Sequence, residues 1–234
     1  MTMKTPPPQT YAIDDGFYAV VRWARAQFRR LGITIADPII HHRRILDHEF
    51  LRKNGRFVKA GPFRGMELLT WTAWGIGSTA PKILGIYEKE ILDLFEQGYF
   101  ANRSTFVDIG AADGYYAIGV LVARIFSQTI AYEASPHGRQ ALRATAELNG
   151  VTQNLVINGA PPVDLAADLS KQAVVLDDAV ILCDIEGGEF QLFNQETLPK
   201  LSTAHILIEL HDQDTERSKS VTIQDRLRNS HLQA

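Results

Sequence analysis

The residues best suited to chemistry fall in the second half of the chain, in four short runs. These are DIGAADG from Asp108 to Gly114, YEA ending at Ala134, DIEGGE from Asp184 to Glu189, and LHD around His211. Gly110 and Gly114, with Ala111 between them, allow a tight backbone turn, and Tyr115 then opens a helix whose first amides have no partner within it. A dinucleotide fingerprint spaces its glycines as G-x-G-x-x-G around a pyrophosphate. Here the two glycines stand four apart and Asp108 precedes the first, so the loop is acidic. That suits a cationic ligand, such as the amino group of a sulfonium amino acid, better than a diphosphate.

Glu133 follows the glycine loop by roughly 20 residues, the spacing at which an acidic side chain accepts hydrogen bonds from ribose hydroxyls. The spacing indicates a nucleoside without choosing between a nicotinamide and a sulfonium cofactor. Asp184, Glu186 and Glu189 gather carboxylates at one strand end, where clustering raises proton affinity and favours base chemistry or metal binding. Glu189 reads as a partner of the next helix's dipole, and Asp184 and Glu186 as site residues. The His211 imidazole could act as a general base toward the proton of an acceptor group. Asp184 with Asp212 would hold a divalent cation that polarises such an acceptor in a metal-assisted variant.

The elements that must position these residues are legible from periodicity. Phe17 to Leu31 repeat at helical spacing up to Gly32, a second helix is expected over Pro38 to Asn54, and a third over Pro81 to Gln97 with Gly98 as its stop. Phe63 to Trp74 reads as extended or irregular. From Thr105 onward, apolar runs (FVDIG, TIAYEA, NLVIN, AVILCDIE, HILIEL) alternate with helical patterns, which implies a mostly parallel sheet covered on both faces. Ser135-Pro136 supplies an N-cap and first-turn proline for the helix after the second strand. Right-handed crossovers make this a doubly wound α/β fold, with ligands bound beyond the carboxyl ends of the strands. The expected organisation is a flexible tail over 1–10, a helical N-terminal cap over 11–100 and a Rossmann-like domain over 101–234.

Composition sets the outer bounds. The 234 residues are 45% hydrophobic with a net charge of −3, as in a folded globular chain. The single cysteine, Cys183, rules out an intrachain disulfide and reads as a buried thiol. Residues 22–64 hold 11 Lys/Arg against 3 Asp/Glu, a basic block able to meet phosphorylated substrates, nucleic acid or anionic lipid. Peripheral membrane contact through its amphipathic helix is one use; no aromatic-basic motif argues for nucleic acid. No apolar run is long enough for a transmembrane segment and no secretory signal is seen, so a cytoplasmic location is expected.

In their order along the chain, VDIGAADGYYAIG, AYEASP, the helix ending in LN at Asn149, DIEGGE and IELH resemble the FkbM-like family of S-adenosylmethionine-dependent methyltransferases. KILGIYEKEI, from Lys82 to Ile91, resembles the segment that precedes the core in that family. The resemblance implies a Rossmann-like methyltransferase fold with S-adenosylmethionine as cofactor. In that reading Asp108, Gly110, Ala111, Gly114, Tyr115 and Asp184 form the cofactor loop and its surroundings around the methionine end. Glu133 holds the ribose, and Asn158, Gly159 and Ala160 the adenine edge. His211 or Glu186 would be the base toward a small-molecule or glycan hydroxyl. Only 23 residues follow His211, fewer than a closing helix and hairpin need, so the C-terminal hairpin is expected to be shortened or missing. A nucleoside-binding module without chemistry is the alternative that such a C-terminus allows, and a nicotinamide-dependent oxidoreductase is disfavoured by the glycine spacing.

Overall fold

The computed structural model describes residues 38–69, 79–185, 187–210, 223 and 225–227. The chain divides into two compact units, residues 1–45 and 46–234, and the sheet belongs to the second. Among the described residues five strands carry it: β1 (Thr105–Ile109), β2 (Gln128–Tyr132), β3 (Leu155–Asn158), β4 (Ala179–Cys183) and β5 (His205–Ile208). They pair in the order β3-β2-β1-β4-β5, every pairing parallel. Chain order reverses between β1 and β4, which creates the crevice where doubly wound folds bind ligands. β1 and β4 are buried along their whole length, which is why they read as continuous apolar runs rather than alternating ones.

Alternation along the strands separates two cores. Phe106, Ala131, Val180 and Leu182 face one of them, Val107, Ile130, Ile181 and Cys183 the other. The first is covered by α4 (Tyr115–Val122) and α5 (Pro136–Leu148), together with segments that precede the sheet. The second is covered by α6 (Leu165–Lys171), α7 (Glu189–Leu192) and α8 (Thr197–Lys200). Helix α6 escapes the sequence pattern because it is seven residues long and buries only Leu165 and Leu169.

Upstream, α1 (Pro38–Asn54) has the expected bounds, and Gly55 ends it at φ 74° with its amide donating to the Leu51 carbonyl at 2.8 Å. The helix expected over Pro81–Gln97 is instead two, α2 (Thr79–Leu84) and α3 (Lys89–Glu96). Gly85 breaks it in a Schellman turn: at φ 70° its amide bonds the Lys82 carbonyl, while the Ile86 amide bonds that of Pro81. The Lys59 amide takes the Ile83 carbonyl at 2.7 Å, and a Cβ on Gly85 would stand 2.0 Å from the Ala60 carbonyl oxygen. A long-range contact therefore stops the helix, and helical periodicity cannot register it. Residues 56–69 are tied down in the same way. The Asn149 side chain accepts from the Glu67 amide at 2.8 Å and donates to the Glu67 carbonyl at 2.9 Å, so it pairs with that backbone as a neighbouring strand would. The helix expected over Phe17–Leu31 lies outside the described residues, as does most of the segment following β5. Among the described residues no helix is long and apolar enough to cross a membrane.

Candidate active site

The turn from β1 into α4 is dictated by glycine. Gly110 has φ 95° and Gly114 φ 88°, a region that L side chains rarely adopt. Glycine at 110 also answers to a neighbouring strand. A Cβ there would lie 1.8 Å from the Asp184 carbonyl oxygen, so Gly110 lets the loop cross the end of β4. The Gly110 and Ala111 amides both donate to the Tyr132 carbonyl, at 2.8 and 3.1 Å, which hooks the loop over the end of β2 as well.

Glu133 completes this attachment. Its Oε2 accepts from the Ala112 amide at 2.9 Å and its Oε1 from the Ser135 amide at 2.7 Å. The carboxylate also lies against Gly138, where any Cβ would meet its Cδ at 2.7 Å. Only 6% of Glu133 is exposed, yet each oxygen accepts one of these amides and a carboxylate oxygen has two lone pairs, which leaves capacity for further donors. Ala112 sits at φ 46°, held there by that bond. Ser135 caps α5 by accepting from the Gly138 amide, with Pro136 next, as the sequence indicates.

Asp108 lies on the α4 face of β1, flanked in register by Ala131 and Leu182. Burial pushes its carboxyl up to about 8. The Ala117 amide in the first turn of α4 opposes this, and the Asp184, Glu133 and Asp113 carboxylates add to it. Asp184 follows β4, its amide continuing the ladder to the Ile109 carbonyl at 2.9 Å. Glu189, in the first turn of α7, is fully buried and accepts from the Ile185 and Gly187 amides, so it caps the DIEGGE turn. Cys183 is a buried free thiol raised further by burial and by Glu189.

The structure thus brings Asp108, Gly110, Ala111, Gly114, Tyr115, Glu133, Asn158 and Asp184 to the carboxyl ends of β1 to β4. Gly159 and Ala160 follow β3 on the exposed surface. Glu186, His211 and Asp212 lie outside the described residues.

Two networks were not legible in the sequence. Before α4, the Lys82 ammonium donates to both oxygens of Asp113 in the glycine loop, at 3.0 and 2.9 Å. It also lies 5.1 Å from the Tyr87 ring centroid and 5.4 Å from that of Tyr115. The Tyr116 hydroxyl donates to Glu88 at 2.7 Å. The buried Tyr115 hydroxyl has no hydrogen-bond partner among the described residues. On the other face the Tyr132 hydroxyl donates to Asp168 at 2.6 Å and accepts from Gln172 at 3.0 Å, while the Asn158 amide donates to Gln172 at 3.2 Å. A lysine in a helix pattern is ordinarily read as exposed, and these partners are remote in sequence.

No protein-family model matches the chain, and no curated protein does. Among solved structures, the methyltransferase domain of METTL16 matches over 89% of this chain and 82% of its own, at 13% identity and a TM-score of 0.54. A second METTL16 methyltransferase-domain structure gives 0.54 at 14% identity, over 91% and 82%. An uncharacterized protein from Listeria monocytogenes matches at 19% identity with a TM-score of 0.38, over 49% of each chain, so this chain spans about half of that protein's length. The sheet order, the flanking helices and the METTL16 likeness define a Rossmann-like methyltransferase fold.

Proposed function

We propose that the chain binds S-adenosylmethionine across the ends of β1 to β4 and transfers its methyl group to a hydroxyl oxygen. As in the FkbM-like branch its motifs resemble, the acceptor would be a sugar, glycan or secondary metabolite. The observation that carries this reading is the gathering of Asp108, Glu133 and Asp184 at the carboxyl ends of β1, β2 and β4, beside the glycine loop. A site so rich in carboxylate fits a ligand bearing an ammonium and a sulfonium, and poorly fits a diphosphate. The cofactor supplies, when bound, a methyl group made electrophilic by the positive sulfur.

The chain's own residues do the rest. The Gly110–Gly114 loop, Asp108, Asp184 and Tyr115 hold the methionine end. Glu133 fixes the loop and accepts from the ribose hydroxyls, and Asn158 to Ala160 border the adenine. His211, or Glu186 in its place, takes the acceptor hydroxyl's proton as the oxygen attacks in line. Most of the acceleration comes from positioning.

Mass spectrometry of the purified protein and calorimetry with S-adenosylhomocysteine test binding, and a panel of hydroxyl compounds tests transfer. Glu133→Ala is expected to weaken binding by about 1.5–3 kcal/mol, the scale of hydrogen bonds to a charged group. His211→Ala is expected to lower turnover roughly 10²- to 10⁴-fold with cofactor affinity retained. Absence of any adenosyl ligand binding would overturn the reading. Full turnover in His211→Ala would move the base to Glu186.

A further inference from the structure

Lys82 is an expensive residue to place where it stands. Its side chain is 8% exposed and that of its partner Asp113 16%, and burying charges costs more than burying well-packed apolar groups of the same size. An apolar pair could tether the loop to α2 at least as firmly. What it could not do is put a positive charge against the glycine loop, beneath the rings of Tyr87 and Tyr115, which keep water from it. Asp113 belongs to the loop that leads from β1 into α4, so the pair borders the crevice at the carboxyl end of β1.

We propose that Lys82, acting through Asp113, is a positioning residue that sets the charge balance of the cofactor pocket and thereby its preference for the sulfonium substrate over the thioether product. The inference rests on the cofactor reading above. S-adenosylmethionine and S-adenosylhomocysteine differ by a methyl group and one positive charge at sulfur. A carboxylate charge near that sulfur favours the first. Lys82 cancels the charge of Asp113 in the glycine loop, which limits the preference and lets the product exchange for fresh cofactor. It also places control of the cofactor loop in the segment before the sheet, in KILGIYEKEI.

The test is the ratio of affinities for the two compounds, by calorimetry on the full chain at low and high salt. Lys82→Met is expected to raise the ratio in favour of S-adenosylmethionine by roughly fivefold or more, since one negative charge is unmasked in a site of low dielectric. Asp113→Asn is expected to lower the ratio by a similar factor, and the double variant to restore it to within about twofold. Lys82→Arg keeps the charge and is expected to keep the ratio. High salt should shrink the shifts only modestly, because the pair is buried. A ratio that stays constant across the folded variants, with both affinities falling together, overturns the proposal and leaves Lys82 a structural tether. If Lys82→Met does not fold, Asp113→Asn and the double variant decide by the same signs. A wild-type chain that binds neither compound overturns the cofactor reading, and this proposal with it.

Discussion

The two faces of the sheet solve the same burial problem with different materials. On the α4 side the core is built from rings, among them Phe63, Phe95, Phe100, Phe106 and Phe126, much of it supplied by chain that precedes β1. On the α6 side it is mostly aliphatic, with Leu165, Leu169, Leu198 and Leu201 supplied by chain that follows β3 and only Tyr132 and Phe193 as its buried rings among the described residues. The polar groups divide in the same way. The α4 face holds the charged pair Lys82–Asp113 and the protonated Asp108, whereas the α6 face holds the hydrogen-bonded chain Tyr132–Asp168–Gln172–Asn158. One face thus couples the glycine loop to chain that precedes the sheet through rings and charge, and the other braces the strand ends through hydrogen bonds to α6 and its C-terminal end. Perturbing the first should be felt at the loop and perturbing the second mainly in stability.

The largest expected effect contrasts Phe63→Ala with Leu169→Ala. Both residues are fully buried, and both truncations should destabilise by several kcal/mol in urea titration, about 3–5 for the ring and about 2–5 for the leucine. Phe63 lies 5.3 Å from Tyr115 and 5.9 Å from Tyr116, centroid to centroid. Only its removal should also speed amide hydrogen exchange across Asp113–Ala117. Equal exchange in the two variants would erase the distinction between the faces.

Next in size is the effect of Asp108→Asn on pH dependence. The folded carboxyl titrates near 8 against 3.8 for an ordinary aspartate, so between those values the folded chain keeps a proton that the unfolded chain has lost. Asp108 therefore contributes its full stability below about pH 4, and that contribution declines as pH rises toward 8. The asparagine variant lacks this slope, and its advantage over the wild type should grow across that window in denaturation curves. A pH-independent difference would mean that the α4 face does not hold its acid in the neutral form.

Smallest is Tyr132→Phe on the α6 face. The hydroxyl bonds Asp168 and Gln172, which also bond each other at 2.8 Å, so the remainder of the chain persists and the loss should be about 1 kcal/mol. A loss several times larger would show that this face too depends on a polar linchpin.

What the sequence disclosed follows from the same contrast. The five strands and the bounds of α1 were legible because apolar runs and a glycine stop are local signals. The placing of Asp108, Gly110 and Glu133 at neighbouring strand ends followed from the parallel order alone. The break at Gly85, the burial of Lys82 and the pairing of Asn149 with Glu67 were not legible, since each depends on a partner distant in the chain. Gly110 was legible as a turn glycine, whereas its clearance from the Asp184 carbonyl was not, because strand pairing brings that carbonyl there.

The pairing of Asn149 with Glu67 also bears on how the protein is made. Its two partners are 82 residues apart, which at a translation rate of about 5–20 residues per second separates their emergence by roughly 4–16 s. Over that interval the stretch carrying Phe63 and Met66 leaves the ribosome before α4 and α5, the helices it packs against, have been synthesised. The nascent chain carries those apolar side chains unsheltered until α4 and α5 emerge.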